Sequence, residues 1–164
     1  MFRVLVGLIT ALTAIIPMIA EPCSCITIGS SGEIYLGSYE AAFKGKVVSV
    51  RWISLPHDDG SNRLLQAVAI EVSEFWMGQV PPVTVVFSGI GAGDCGFPFE
   101  LGNTYVVVAK RVPKEYRKTL HTNRDAFWTD ICTHTSIAED AAELVSQLNA
   151  SKKSTRYQTF EEQH

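Results

Sequence analysis

Apolar residues follow two rhythms along this chain. In "AFKGKVVSVRWI" (residues 42–53), "LQAVAIEVSEFW" (65–76), "PVTVVFSG" (82–89) and "NTYVVVAKR" (103–111), Val, Ile and aromatic residues partly alternate with polar ones. That period of two is the mark of half-buried strands. Turn-forming stretches separate them: "PHDDGSN", "MGQVPP", "GIGAGDCG" and "ELGN". Gly45, inside the first stretch, predicts a bulge or bend of the kind that closing a small barrel requires. "AFWTDICTH" (126–134), around Cys132, is expected as a fifth strand. The rhythm then changes. In "SIAEDAAELVSQLNA" (136–150), Ile137, Ala141, Leu144, Val145 and Leu148 fall on one helical stripe, and Ser136 with Glu139 has the spacing of a capping box. This predicts an amphipathic helix, followed by a polar tail, residues 150–164, expected to be disordered.

Five strands and one helix, without an internal repeat or a linker, predict one mainly β domain over residues 21–149. The expected architecture is a five-stranded Greek-key barrel of the OB type carrying a C-terminal amphipathic helix. A sandwich is the other arrangement that the strand count allows.

The first twenty residues differ from the rest. "MFRVLVGLITALTAIIPMIA" has one positive charge at Arg3, an uncharged run over residues 4–16, and Pro17 before Met18-Ile19-Ala20. This is the layout of a signal peptide over residues 1–20, cut after Ala20. A membrane-spanning helix needs about 20 consecutive apolar residues, and Pro17 interrupts this run. The expected location is therefore secreted or periplasmic, in the cell envelope, with no membrane span after cleavage. Of 164 residues, 144 then remain, with 13 Lys+Arg against 17 Asp+Glu and a formal charge of −4. A single domain of that length buries about 68% of its unfolded surface. The negative charge argues against nucleic acid, which needs a basic footprint.

The chain has four cysteines, Cys23, Cys25, Cys95 and Cys132. In an exported protein an even set is expected to pair, and four allow three connectivities. A bridge inside Cys23-Ser24-Cys25 would close a very small, strained ring, which leaves two. Either one stitches the segment after the leader twice to distant chain. In an extended segment residues i and i+2 share a face, so both sulfurs would point inward and Ser24 outward.

The cysteine surroundings, "CSC" (23–25), "FKGKV" (43–47), "GDCGF" (93–97) and "DICTHTSIAEDAAEL" leading into the helix, resemble in order and context the netrin-like domain. More narrowly, they resemble the inhibitory N-terminal domain of the tissue inhibitors of metalloproteinases, over about residues 23–149. The resemblance implies a five-stranded OB barrel with bridges Cys23–Cys95 and Cys25–Cys132, each closing a long loop worth on the order of 4 kcal/mol in the chain-entropy model. It also implies a protein partner, a zinc metalloproteinase. In that family the first cysteine's free amine and carbonyl chelate the protease zinc and the next side chain enters the specificity pocket. Carried over, this makes Cys23 the chelator, Ser24 the pocket residue, and Gly93, Asp94 and Cys95 the adjoining ridge. The alternative is an adhesion or assembly module of the same fold without inhibitory activity. The family's further N-domain bridge has no counterpart here, and a cut after Ala20 leaves Glu21-Pro22 ahead of Cys23. Its nitrogen is then an amide, with no free lone pair for zinc.

Other motifs point less far. "GAGDCG" (91–96) fits G-x-G-x-x-G, but Pro98 follows it rather than a helix, so it is not read as a dinucleotide site. Cys23, Cys25, Cys132 and His134 could form a Cys3His zinc set, yet the C-x-C gap is shorter than zinc sites use. His57 and His164 are expected at the surface, and Asp58-Asp59 in a solvated turn. Trp52, Trp76 and Trp128 are expected in the core. Asn149-Ala150-Ser151 is a glycosylation sequon. Neither a Ser-His-Asp set nor a carboxylate pair stands out, so no enzyme, cofactor or intrinsic metal is expected.

Overall fold

The computed structural model describes residues 36–56, 60–91, 93–122 and 126–161, together with Cys23 and Cys25. The expected signal peptide, Glu21, Pro22, Ser24, His57, Asp58, Asp59 and His164 lie outside the described residues.

Strand β1 (Ala41–Pro56) makes the sheet close on itself, because it pairs on one side with β2 (Asn62–Met77) and on the other with β4 (Thr104–Arg111). Gly45 sits where it serves both. A Cβ there would lie 2.5 Å from both the Glu71 carbonyl oxygen and an Ile70 methyl, and the β1–β2 register shifts between Lys44 and Gly45. The bend expected at this glycine is thus present. With β3 (Val83–Ser88) and β5 (Phe127–Trp128), the strands run β1-β2-β3-β5-β4 and back to β1, a closed ring of five, antiparallel except at β3–β5. The protein is mainly β, with the short β6 (Ser136–Ile137) added to β4.

Alternation along the ring strands sorts the core. Phe43, Val47, Val68, Ile70, Val86, Tyr105, Val107 and Phe127, drawn from all five, pack together with Phe99 and fill the ring. Helix α2 (Ala142–Glu161) covers a second cluster, in which Ala141, Leu144 and Leu148 meet Ala42, Trp76, Val106 and Val108. Helix α1 (Lys114–Thr119) belongs to an excursion between β4 and β5. That excursion brings Val112, Leu120 and Ala126 onto Ile53, Ala67, Val85, Phe87 and Trp128.

Several expectations change here. The fifth strand spans only Phe127–Trp128, and Cys132 follows it in a turn. Ser136 does not cap a helix: it pairs with Val106 in the sheet, its hydroxyl donating to the Ile137 carbonyl at 3.3 Å, and α2 starts at Ala142. The sheet register of Ser136 and Ile137 overrides the capping-box spacing. The helix continues to Glu161. Of the tryptophans only Trp76 is in the core, its indole N–H donating to Asn149 Oδ1 at 2.8 Å. Trp128 is half-buried under a stacked Tyr116, and Trp52 is 58% exposed. Among the described residues, no helix is long and apolar enough to cross a membrane.

Candidate functional site

Two loops carry the distal half-cystines, and each is built differently. The first follows β3. Gly89 and Gly96 approach so closely that a Cβ on Gly96 would lie 2.0 Å from the Gly89 carbonyl carbon, so only glycine closes this neck. Inside the loop the Asp94 carboxylate accepts three backbone N–H groups, from Ile90 at 2.8 Å and from Gly91 and Gly96 at 2.9 Å. Both its oxygens are taken, so Asp94 shapes the loop instead of offering a free charge. Gly93 forms the exposed apex, and Cys95 follows with φ 57°, a left-handed conformation unusual for a residue with a Cβ. The bridge Cys23–Cys95 leaves from there.

The chain beyond is held by side chains rather than by ladder bonds. Phe97 N–H donates to Ser88 Oγ at 2.7 Å, Phe99 N–H to the buried Gln66 Oε1 at 3.2 Å, and Glu100 N–H to the Tyr105 hydroxyl at 3.1 Å. Buried amides need such partners, and Gln66 and Ser88 are buried for this purpose.

The second loop follows β5. Asp130 Oδ1 accepts the Cys132 N–H at 2.8 Å, and the Asp130 carbonyl accepts the Thr133 hydroxyl at 2.8 Å. Beneath it Thr129, Thr133 and Thr135 form a buried hydroxyl cluster, in which the Thr129 and Thr135 hydroxyls each lie 3.1 Å from the Val108 carbonyl and 2.7 Å from one another, so that one can donate to the carbonyl and the other to its neighbour. Thr135 Oγ1 also accepts the Val108 N–H at 3.2 Å. The bridge Cys25–Cys132 leaves from this loop. These pairings are the ones the family resemblance implies.

The two loops join directly: Ile131 N–H donates to the Cys95 carbonyl at 3.0 Å. Cys23, Cys25, Gly93, Asp94, Cys95 and Cys132 therefore belong to one edge, on which Ile90 and Ile131 are exposed apolar residues. The proposed pocket residue, Ser24, is outside the described residues. Tyr39 backs the second loop, its hydroxyl 3.5 Å from the Cys132 carbonyl and its ring edge-on to His134. Burial, reinforced by the negative Asp130, raises the Tyr39 pKa above the usual phenol value. The cysteines of the conceivable zinc set are all in disulfides, and no group of metal-binding side chains occurs among the described residues.

The threonine cluster and the Gln66 and Ser88 anchors are absent from the sequence-based expectations. The only signal for the former is the spacing of Thr129, Thr133 and Thr135, which reveals nothing without Val108 opposite. Compared with known proteins, the chain matches no family model and no curated protein.

Proposed function

We propose that this is an exported, disulfide-stapled OB-type domain that binds another protein through the edge around Cys23, as the N-terminal domains of tissue inhibitors of metalloproteinases do. The observation that carries the reading is the union of the two half-cystine loops. One bridge brings Cys23 to the glycine loop, the other brings Cys25 to the threonine-backed loop, and the Ile131–Cys95 hydrogen bond makes them a single surface. The ring order β1-β2-β3-β5-β4 supports reading the ring as a Greek-key OB barrel. Two disulfides and the signal-like leader support export.

The inhibitory mechanism requires a free Cys23 amine. An unmodified α-amino group has a pKa of about 7.7–8.0, so a neutral, zinc-binding fraction exists near neutral pH. With Glu21-Pro22 attached, that donor is an amide. Removal of the dipeptide by a proline-specific aminopeptidase would expose Cys23, with its amine and carbonyl placed to chelate a target's zinc and Ser24 following into the pocket. The test compares chains beginning at Glu21, at Cys23, and at an added Ala before Cys23 against a panel of zinc metalloproteinases. Only the Cys23 form should inhibit stoichiometrically. Equal potency of all three would remove chelation. No inhibition by any would leave the non-inhibitory adhesion or assembly module.

A further inference from the structure

Strand β1 is paired on both sides only as far as the ring requires. Its register with β4 ends at Lys46↔Thr104, and the last links across are Val47 N–H to the Asn103 carbonyl and Gly102 N–H to the Val47 carbonyl, both at 2.9 Å. With β2 it continues to Pro56↔Asn62. The β1–β2 hairpin thus runs on beyond β4, and from Ser49 to Pro56 no described strand lies against the outer edge of β1.

That edge presents usable backbone groups. Along an antiparallel ladder the backbone direction repeats at every second residue. Val47, opposite Ile70, turns its N–H and carbonyl away from β2, so Val50, Trp52, Ser54 and Pro56, opposite Val68, Gln66, Leu64 and Asn62, do the same. Pro56 suits this orientation, since it has no N–H to leave unpaired. Among the described residues, nothing bonds the N–H or carbonyl groups of Val50, Trp52 and Ser54 on that side. The face above them is apolar. Trp52, 58% exposed, and Leu64, 43% exposed, share it, because Trp52↔Gln66 and Ser54↔Leu64 are successive pairs on one side of the sheet. Strand edges that stay single are commonly blunted by charge. Here the outward positions are Val, Trp and Ser, and Arg51, the only charged residue in 48–56, lies on the opposite face.

We propose that this edge pairs, antiparallel, with the same edge of a second copy of the chain, giving a two-fold dimer whose sheet runs through both hairpins. The edge is self-complementary. It is bounded by the register shift at Val48, between Val47 and Ser49, and by Pro56, so full overlap places Trp52, the midpoint, on the two-fold axis. Trp52 then faces Trp52, Val50 faces Ser54 and Arg51 faces Ile53, so the two arginines never stand opposite one another. Side chains that face each other across strands share a side, and Trp52 and Leu64 of both copies therefore close over one another with an aromatic pair at the centre. A second copy is favoured over a foreign strand because the one overlap that uses the whole edge satisfies both copies at once. One strand pair and two apolar side chains per copy fall short of the roughly 800 Å² per partner of a standard interface, so the dimer is weak and concentration-dependent. It uses no residue of the Cys23 edge and does not rest on the function proposed above.

Sedimentation equilibrium of the disulfide-intact exported chain, from about 1 μM to about 1 mM, tests this across micromolar to millimolar dissociation constants. The wild type should pass from monomer to dimer within that span. Ser54→Pro removes an N–H that points only at the free edge, and Trp52→Thr removes the axial ring while keeping a strand-forming residue. Each should weaken the dimer about tenfold or more, with the unfolding midpoint of the dilute monomer unchanged. Val83→Ser is the control, since Val83 is also 58% exposed but stands at the start of β3, and it should dimerise as wild type does. Amide exchange of Val50, Trp52 and Ser54 in the wild type should also slow as concentration rises, a readout that needs no variant. A monomer at every concentration would overturn the proposal. So would a dimer indifferent to Ser54→Pro, one weakened as much by Val83→Ser, or one that leaves exchange of those three amides unchanged. Protease inhibition is assayed separately, so either reading can fail alone.

Discussion

The two loops that receive the disulfides end at the same edge but are rooted at different depths. In the glycine loop every hydrogen bond to the Asp94 carboxylate comes from residues within four positions of it. In the threonine loop the hydroxyls of Thr129 and Thr135 reach Val108, twenty or more residues away, inside the central strand β4. The first is a local knot on the surface and the second is part of the core. Under the binding function proposed above, the edge made from both would have one side free to respond to a partner and one side that moves only if the ring does.

Removing the bridges should give the largest effects. Their sequence separations are 72 and 107 residues, so in the chain-entropy model each constrains the unfolded chain by about 4–5 kcal/mol. The comparison is sharpened by where order is lost. With Cys95→Ser, amide exchange should rise throughout the glycine loop, which then keeps the local Asp94 bonds and single links to Ile131 and Ser88. With Cys132→Ser, the threonine loop should stay protected even as the midpoint of denaturant unfolding falls. Equal loss of protection in both loops would show that the threonine cluster adds nothing to the anchoring.

Thr135→Val tests the deep root directly. It keeps the shape but leaves the Val108 N–H without its acceptor and breaks the hydroxyl chain to Thr129. A buried unsatisfied amide costs about 1–3 kcal/mol. The loss should appear as global destabilisation by denaturant, with exchange rising in β4 as well as in the loop. An unchanged unfolding midpoint would count against the cluster as an anchor.

These depths explain what could be read from the chain. The four long strands were legible because Val-rich alternation and turn residues are local signals, and Gly45 was legible because only glycine fits against Glu71. The cysteine contexts marked both loops. The two-residue strand at Phe127 was stretched to Cys132 because its length is set by partners on β3 and β4 rather than by its own composition. Ser136 looked like a helix cap because its spacing to Glu139 is local, whereas its pairing with Val106 is not. Trp52 looked like core because hydrophobicity does not reveal that β4 leaves β1 at Lys46, so that at Trp52 the strand pairs with β2 alone. Helix α1, six residues rich in Lys and Arg, has no apolar stripe of its own; its hold comes from Tyr116 on Trp128 and from Leu120.

Asp94→Ala tests the shallow root and should cost less. The three amides it frees lie at a partly exposed loop, where water can replace the carboxylate, so global stability should fall by about 1 kcal/mol. Exchange of the Ile90, Gly91 and Gly96 amides should nonetheless accelerate strongly while β4 stays unchanged. If partner binding uses this edge, affinity should drop more than stability does. A global loss as large as that of Thr135→Val would erase the distinction between the loops.

The smallest effect is confined to high pH and to the threonine side. Tyr39 rests on the Cys132 carbonyl, and its pKa is raised from 10.0 by burial and then by Asp130. The folded protein therefore keeps a proton that the unfolded chain releases. Its contribution is fully present below the ordinary value near 10.0 and is lost as pH rises through the raised folded value. Wild type should thus lose stability relative to Tyr39→Phe as pH increases past 10.0, which urea unfolding of both proteins across that range would measure. Asp130→Asn should narrow the gap by removing the nearby negative charge, whereas Asp94→Ala, on the other loop, should leave it unchanged. Parallel stability curves for wild type and Tyr39→Phe would show that the phenol is not held neutral by its packing against the second loop.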